Sequence, residues 1–299
     1  MVNRTVGATC ALVLVTVGLM CGGAMSTAGA AVNPWPHTAV SGFATTSGDG
    51  FYVVLANGSV ERSTSTTSHG DASGLALSGP VVGGALTADG NGYWLVASDG
   101  GLFTYGSAHF YGRMGAAHLN QPVFSMAATK SGKGYWLVAR DGGIFTFGDG
   151  HFYGSTGAIH LNQPIAGITS GATGKGYRMV ARDGGIFSFG AATFYGSLPS
   201  LGLNVTDVVG MAPTPSGKGY WIAEANGEVH AFGDAASFGN YVPSDPRFSC
   251  DHVVGIFANP TRMGYRLVLE GGATMGFGDS GFDFGGLPRL CNPLDPGHL

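Results

Sequence analysis

From Gly134 to Gly154 the chain reads GYWLVARDGGIFTFGDGHFYG, and it repeats this stretch along its length. Copies begin at Gly92 (GYWLVASDGGLFTYGSAHFYG), Gly176 (GYRMVARDGGIFSFGAATFYG), Gly219 (GYWIAEANGEVHAFGDAASFG) and Gly264 (GYRLVLEGGATMGFGDSGFDFG). A worn first copy begins at Gly50 (GFYVVLANGSV). The aromatic residue after the leading glycine is Phe51, Tyr93, Tyr135, Tyr177, Tyr220 and Tyr265, at steps of 42, 42, 42, 43 and 45 residues. Six units at this period fill almost the whole chain, and the period is that of a propeller blade.

Each unit reads as four short strands. Strand A is the run before the repeated stretch, such as Val123 to Thr129, and the turn Ser131-Gly132-Lys133-Gly134 leads into strand B, Tyr135 to Ala139. Asp141-Gly142-Gly143 then turns the chain into strand C, Ile144 to Phe147, and His151 to Tyr153 is the expected strand D. Glycines suit these turns because tight hairpins demand positive φ. The strands are apolar on both sides, so both faces of each small sheet must be covered. Sheets arranged radially satisfy that demand and leave only short edges.

The expectation is therefore an all-β chain folded as a closed six-bladed β-propeller. A seven-bladed or incompletely closed ring is the alternative. A β-trefoil would have three units, a β-helix coil is about half this length, and no unit has the 3.6-residue period of a helical repeat. In the first unit Val60 is followed by ERSTSTTSHGDASG without an FYG run, so its outer strands are expected to be loose or missing.

Residues 1–30 have the features of a secretory signal peptide: Arg4, an apolar stretch from Ala8 to Met20, and Ala28-Gly29-Ala30 before the cut. The apolar core is short for a membrane anchor and is interrupted by Gly22-Gly23. Met20 stands where a lipoprotein box before Cys21 needs a small residue. The expected mature chain, 31–299, is one domain that is secreted, stays extracellular or cell-wall associated, and enters no membrane. It is expected to be a monomer. Without Arg4 it carries 13 basic and 18 acidic residues, a mildly acidic and sparse charge that suits neither nucleic acid nor anionic membranes.

Two cysteines remain, Cys250 and Cys291, in the segments that follow the last two D positions. In an exported chain a disulfide between them is the simplest expectation. Two free buried thiols are the alternative. The bridge would tie down the C-terminal tail and contribute about 4 kcal/mol in the chain-entropy picture.

The phrase GKGYWLVxxDGGIFxFG followed by FYGS resembles the repeat of exported actinobacterial β-propeller proteins, which occur alone or beside cell-wall hydrolase domains. The resemblance covers Val40 to about Gly286. Its rhythm is also similar to the regulator of chromosome condensation type of repeat and, more loosely, to WD-type blades. What it implies is a secreted propeller; it brings no catalytic motif to carry over.

A search for chemistry gives mostly negatives. Ser98-Asp99-Gly100-Gly101 lacks the spacing of a sialidase-type Asp box and reads as a hairpin turn. There is no G-x-S-x-G elbow, and Gly-x-Gly occurs only in turns. Asp279 and Asp283 lack the ligand spacing of a calcium loop. His109 and His151 share a repeat column, and a column spread around a ring cannot converge on one metal. No metal and no cofactor is expected.

Binding is expected at the connectors into strand A, two of which read HLNQP from His118 and His160. These connectors and the B-to-C turns share one face, because successive strands reverse. The mouth of the channel is expected to carry Asn120, Gln121, Asn162, Gln163, Asp207 and Asp251, with Arg140 and Arg182 at larger radius, a set suited to sugar hydroxyls or peptide groups. The expected function is a non-catalytic binding or scaffold module for a cell-wall glycan, another carbohydrate or an extracellular protein. The alternative is an extracellular glycosidase or lyase using acids such as Asp207 and Asp251, which would need a defined separation of about 5–10 Å. Trp35 is open to two readings, a sugar platform or a packed N-terminal residue.

Overall fold

Eighteen strands form six three-stranded antiparallel sheets in a computed structural model that describes residues 33–115, 118–242 and 251–279. All of these belong to the unit that begins at Asn33. The first sheet is β1 (Ala39–Ala44), β2 (Phe51–Leu55) and β3 (Val60–Arg62). The second is β4 (Val81–Leu86), β5 (Gly92–Ala97) and β6 (Leu102–Gly106). The third is β7 (Val123–Ala128), β8 (Gly134–Ala139) and β9 (Ile144–Gly148). The fourth is β10 (Ile165–Ser170), β11 (Gly176–Ala181) and β12 (Ile186–Gly190). The fifth is β13 (Val208–Pro213), β14 (Gly219–Glu224) and β15 (Val229–Gly233). The sixth is β16 (Val253–Ala258), β17 (Gly264–Leu269) and β18 (Thr274–Gly278). One turn of 3-10 helix, Pro199–Leu201, interrupts a connector, and among the described residues no helix is long and apolar enough to cross a membrane.

The middle strand of each sheet is buried at every residue, in keeping with a run that is apolar except at Arg178, Glu224 and Arg266. The side chains on its two faces pack against neighbouring sheets: Trp136 of β8 lies 5.5 Å from the ring of Tyr177 in β11, and Trp94 of β5 lies 5.7 Å from Tyr135 in β8. Aromatic pairs at this distance add to the burial of their area.

The expected strand D is not a strand. Residues 151–155 have no ladder partner. The indole of Trp136 donates to the carbonyl of His151 at 2.8 Å, and the hydroxyl of Tyr177 donates to the carbonyl of Gly154 at 2.5 Å while accepting the N–H of Tyr153 at 3.2 Å. Side chains from two successive sheets thus satisfy this backbone, and the segment becomes a wedge between them. The same bonds recur from Trp94, Trp221, Tyr135 and Tyr220. The wedge also explains the glycine of FYG. Gly154 has φ 132, and a Cβ there would lie 2.5 Å from a ring carbon of Phe189. In the first sheet the third strand is present but spans only Val60–Arg62.

The first strands contact one another in chain order, and β1 also contacts β16. Hydrogen bonds repeat that arrangement six times. The residue that opens each turn between second and third strand donates its N–H to the residue preceding its own sheet's first strand, and its carbonyl accepts the N–H that begins the next sheet. Arg140 does so with Pro122 at 3.0 Å and Ile165 at 2.9 Å, and Arg182 with Pro164 at 2.9 Å and Val208 at 3.1 Å. The sixth set joins the two ends of the series: Glu270 N–H donates to His252, and Ala39 N–H donates to Glu270, each at 2.9 Å.

Every first strand carries a β-bulge after its first residue. The unpaired residues are Val40, Val82, Phe124, Ala166, Val209 and Val254, one per sheet. A bulge bends the strand and re-aims the extra side chain. Here it produces six equivalent apolar positions.

Candidate functional site

The six bulge residues line a cavity of about 140 Å³ to which the first strand of every sheet contributes. They also line a second cavity of about 260 Å³ at the ends where those strands begin. Arg140 and Arg182 complete the lining of the second. Its wall is thus apolar apart from two guanidinium groups, the kind of lining that holds a small ligand by shape and a few polar contacts.

Both arginines start from backbone pinned at N–H and carbonyl, as described above, so their side chains leave rigid positions. The Arg140 guanidinium lies 4.0 Å over the ring of Phe124, and Arg182 Nε donates to the carbonyl of Thr206 at 3.1 Å. Burial and then the charge of Arg182 push the pKa of Arg140 down. Among the described residues neither arginine pairs with a carboxylate. The adjacent acids are occupied by their own turns, where Asp141 accepts the N–H of Gly143 and Asp183 that of Gly185, each at 2.9 Å.

The cavity takes in two of the eight residues expected from the sequence. Of the eight residues named there, Arg140 and Arg182 reach the cavity, whereas Asn120, Gln121, Asn162, Gln163, Asp207 and Asp251 are absent from its lining. The amides sit on connectors whose final prolines, Pro122 and Pro164, are tied to the arginine backbones, and Asn120, Gln121 and Asn162 are exposed. Asp251 is buried, and its Oδ1 accepts the N–H of Gly271 at 2.9 Å. Asp207 is half-buried, and its backbone carbonyl accepts the N–H of Ala225. Trp35 packs against the core of the first two sheets and donates its indole N–H to Leu77 at 3.4 Å, which fits the packed reading. Cys250 and Cys291, with the disulfide expected between them, and residues 1–30, expected as a signal peptide, lie outside the described residues.

Sequence reasoning missed one cluster on the same side of the sheets. His230 Nε2 lies 2.6 Å from Glu224 Oε1 and 3.9 Å from Glu228 Oε2. Donor atoms of the three residues fall within 4.8 Å of one another, a spacing suited to a metal ion. Glu224 is 97% buried, and desolvation pushes its pKa up against the opposing hydrogen bond from His230. The signal was a paired departure from the repeat: Glu224 and His230 stand where the third unit has Ala139 and Phe145.

A larger cavity of about 380 Å³ lies between the first and sixth sheets. Its polar groups hold the sheets together. Asn259 donates to the carbonyl of Gly48 at 3.1 Å, Thr261 to that of Ser47 at 3.1 Å, and Arg262 reaches Asp49 at 3.3 Å. The cavity lined by both arginines is the better candidate site, because neither of them pairs with a carboxylate among the described residues, whereas Arg262 of the larger cavity pairs with Asp49.

In comparisons with known proteins, no family model matches the chain, and no curated protein matches it.

Proposed function

We propose that the chain is an exported, non-catalytic binding module, a closed six-bladed β-propeller that receives its ligand at one mouth of the axial channel. The observation that carries this reading is the collar of six bulge residues around a shared cavity with Arg140 and Arg182 on its rim. Closure is supported by the contact of β1 with β16 and by the hydrogen bond from Ala39 to Glu270. Export, and a partner in the cell wall or the extracellular medium, are supported by the leader-like residues 1–30 and by the resemblance of the repeat to exported actinobacterial propellers. The glycosidase or lyase alternative loses support from Asp251, whose carboxylate is buried and bonded to Gly271.

The test is a binding screen of the mature protein against isolated cell-wall fractions, a glycan array and secreted proteins. Saturable binding that weakens when Ala166→Phe fills the cavity is the expected result. Binding indifferent to that change would move the ligand off the mouth. Hydrolysis or elimination of any glycan on the array would overturn the non-catalytic reading.

A further inference from the structure

We propose that the mouth cavity binds an oxyanion carried on an apolar group, with the anion held between the guanidinium groups of Arg140 and Arg182. This inference rests on the reading of the mouth as the ligand site and specifies the chemistry of the ligand. Arg140 and Arg182 occupy one repeat column on successive sheets, each with its backbone fixed by two hydrogen bonds. Stacking on Phe124 holds one guanidinium, and the bond to Thr206 holds the other. Glu270, the acid of the same column on the sixth sheet, pairs with neither.

Two cations that share a largely apolar cavity without a counter-charge raise each other's free energy, and burial adds to that cost. An anion between them removes both penalties. The planar donor fork of arginine fits a carboxylate, phosphate or sulfate group, and such charge-assisted bonds are about twice as strong as neutral ones. The collar supplies the apolar remainder of the site: at about 260 Å³ the cavity exceeds the volume of about 150 Å³ that holds benzene in a protein core. The ligand class is therefore a single-ring or short-chain group ending in a carboxylate or phosphoryl anion.

The experiment is a titration of the 15N-labelled protein with phenylacetate, with phenyl phosphate and with their neutral counterpart 2-phenylethanol, following the Nε–Hε signals of Arg140 and Arg182 by NMR. Saturable shifts of both signals with either anion are expected, with the alcohol binding about tenfold or more weakly. The tighter of the two anions identifies the source as carboxylate or phosphoryl. Arg140→Gln and Arg182→Gln are each expected to weaken anion binding about tenfold. The probe comparison needs no variant and stands even if a variant fails to fold. Anions that move neither signal, or an alcohol that binds as tightly as the acid, would overturn the proposal. If that happens while Ala166→Phe still weakens cell-wall binding, the mouth survives as the ligand site and its anionic character does not. Anion binding lost in the glutamine variants with cell-wall binding unchanged supports the anion site and removes the wall ligand from the mouth.

Discussion

The N–H of Ala39 donates to the carbonyl of Glu270 at 2.9 Å, so the first strand begins on the last hairpin turn. Wedge segments such as 151–154 join other seams of the structure, and among the described residues the seam between sheets one and six is joined by this bond and by Asn259, Thr261 and Arg262. Asn259 is 94% buried, and its Oδ1 also accepts the N–H groups of Thr261 and Arg262. Asn259→Ala is expected to lower the unfolding free energy by about 1–3 kcal/mol. Amide exchange should quicken first at Ala39 and its neighbours. Urea unfolding unchanged from the parent would show that Asn259 is no clasp.

Arg178 occupies the place of Trp136 one repeat later. Its Nε donates to the carbonyl of Thr193 at 2.7 Å as the indoles do, and it lies 5.5 Å over the ring of Tyr220. Its Nη1 is buried with no hydrogen bond, and so are Thr169 Oγ1 and Ser188 Oγ in the same cross-strand row. Arg178→Trp keeps the donor, removes the orphaned one and is expected to stabilise by about 1–2 kcal/mol. A thermal midpoint below that of the parent would contradict this.

Burial raises the phenol pKa of Tyr93, Tyr105, Tyr135 and Tyr265 to about 12 each. The folded state therefore keeps these protons above pH 10, where the unfolded state gives them up. Their contribution is complete below pH 10 and is lost as pH rises from about 10 towards about 12. Stability should fall across that window, and Tyr135→Phe should make the fall shallower while costing about 1 kcal/mol at pH 7 through the lost bond to Gly112. Thermal midpoints at pH 8, 10 and 11.5 measure both effects.

Gly154→Ala is expected to destabilise by about 1–3 kcal/mol, because the backbone there is left-handed and Phe189 stands in the way. Gly74→Ala is the control: an added methyl meets nothing within 4 Å. Equal effects from the two changes would remove the close packing argument.

The period of the aromatic after each leading glycine made the sheets legible, because a strand buried on both faces is apolar at most of its positions. Residues His151 to Tyr153 misled for a related reason. Their aromatic run has the composition of a strand, yet Phe152 is 59% exposed and the backbone is bonded to an indole and a phenol. The reach of Arg140 into the cavity was hidden because a bulge is an irregularity of pairing with no residue signature of its own. Val82 and Phe124 look like ordinary strand residues until the ladder skips them. A compensated exchange was visible in the sequence: the third unit bonds Thr129 and Ser131 to Asp149, and the second has Thr87, Asp89 and Ser107 in the same three places.

Because the ladder skips the six bulge positions, their side chains carry no duty in pairing the strands. The present set of four valines, one phenylalanine and one alanine is thus one spelling among many that the same framework tolerates. In the proposed binding module, changes there would alter what the cavity admits while the repeated hydrogen bonds between turns and first strands stay as they are, so ligand preference would drift independently of the architecture.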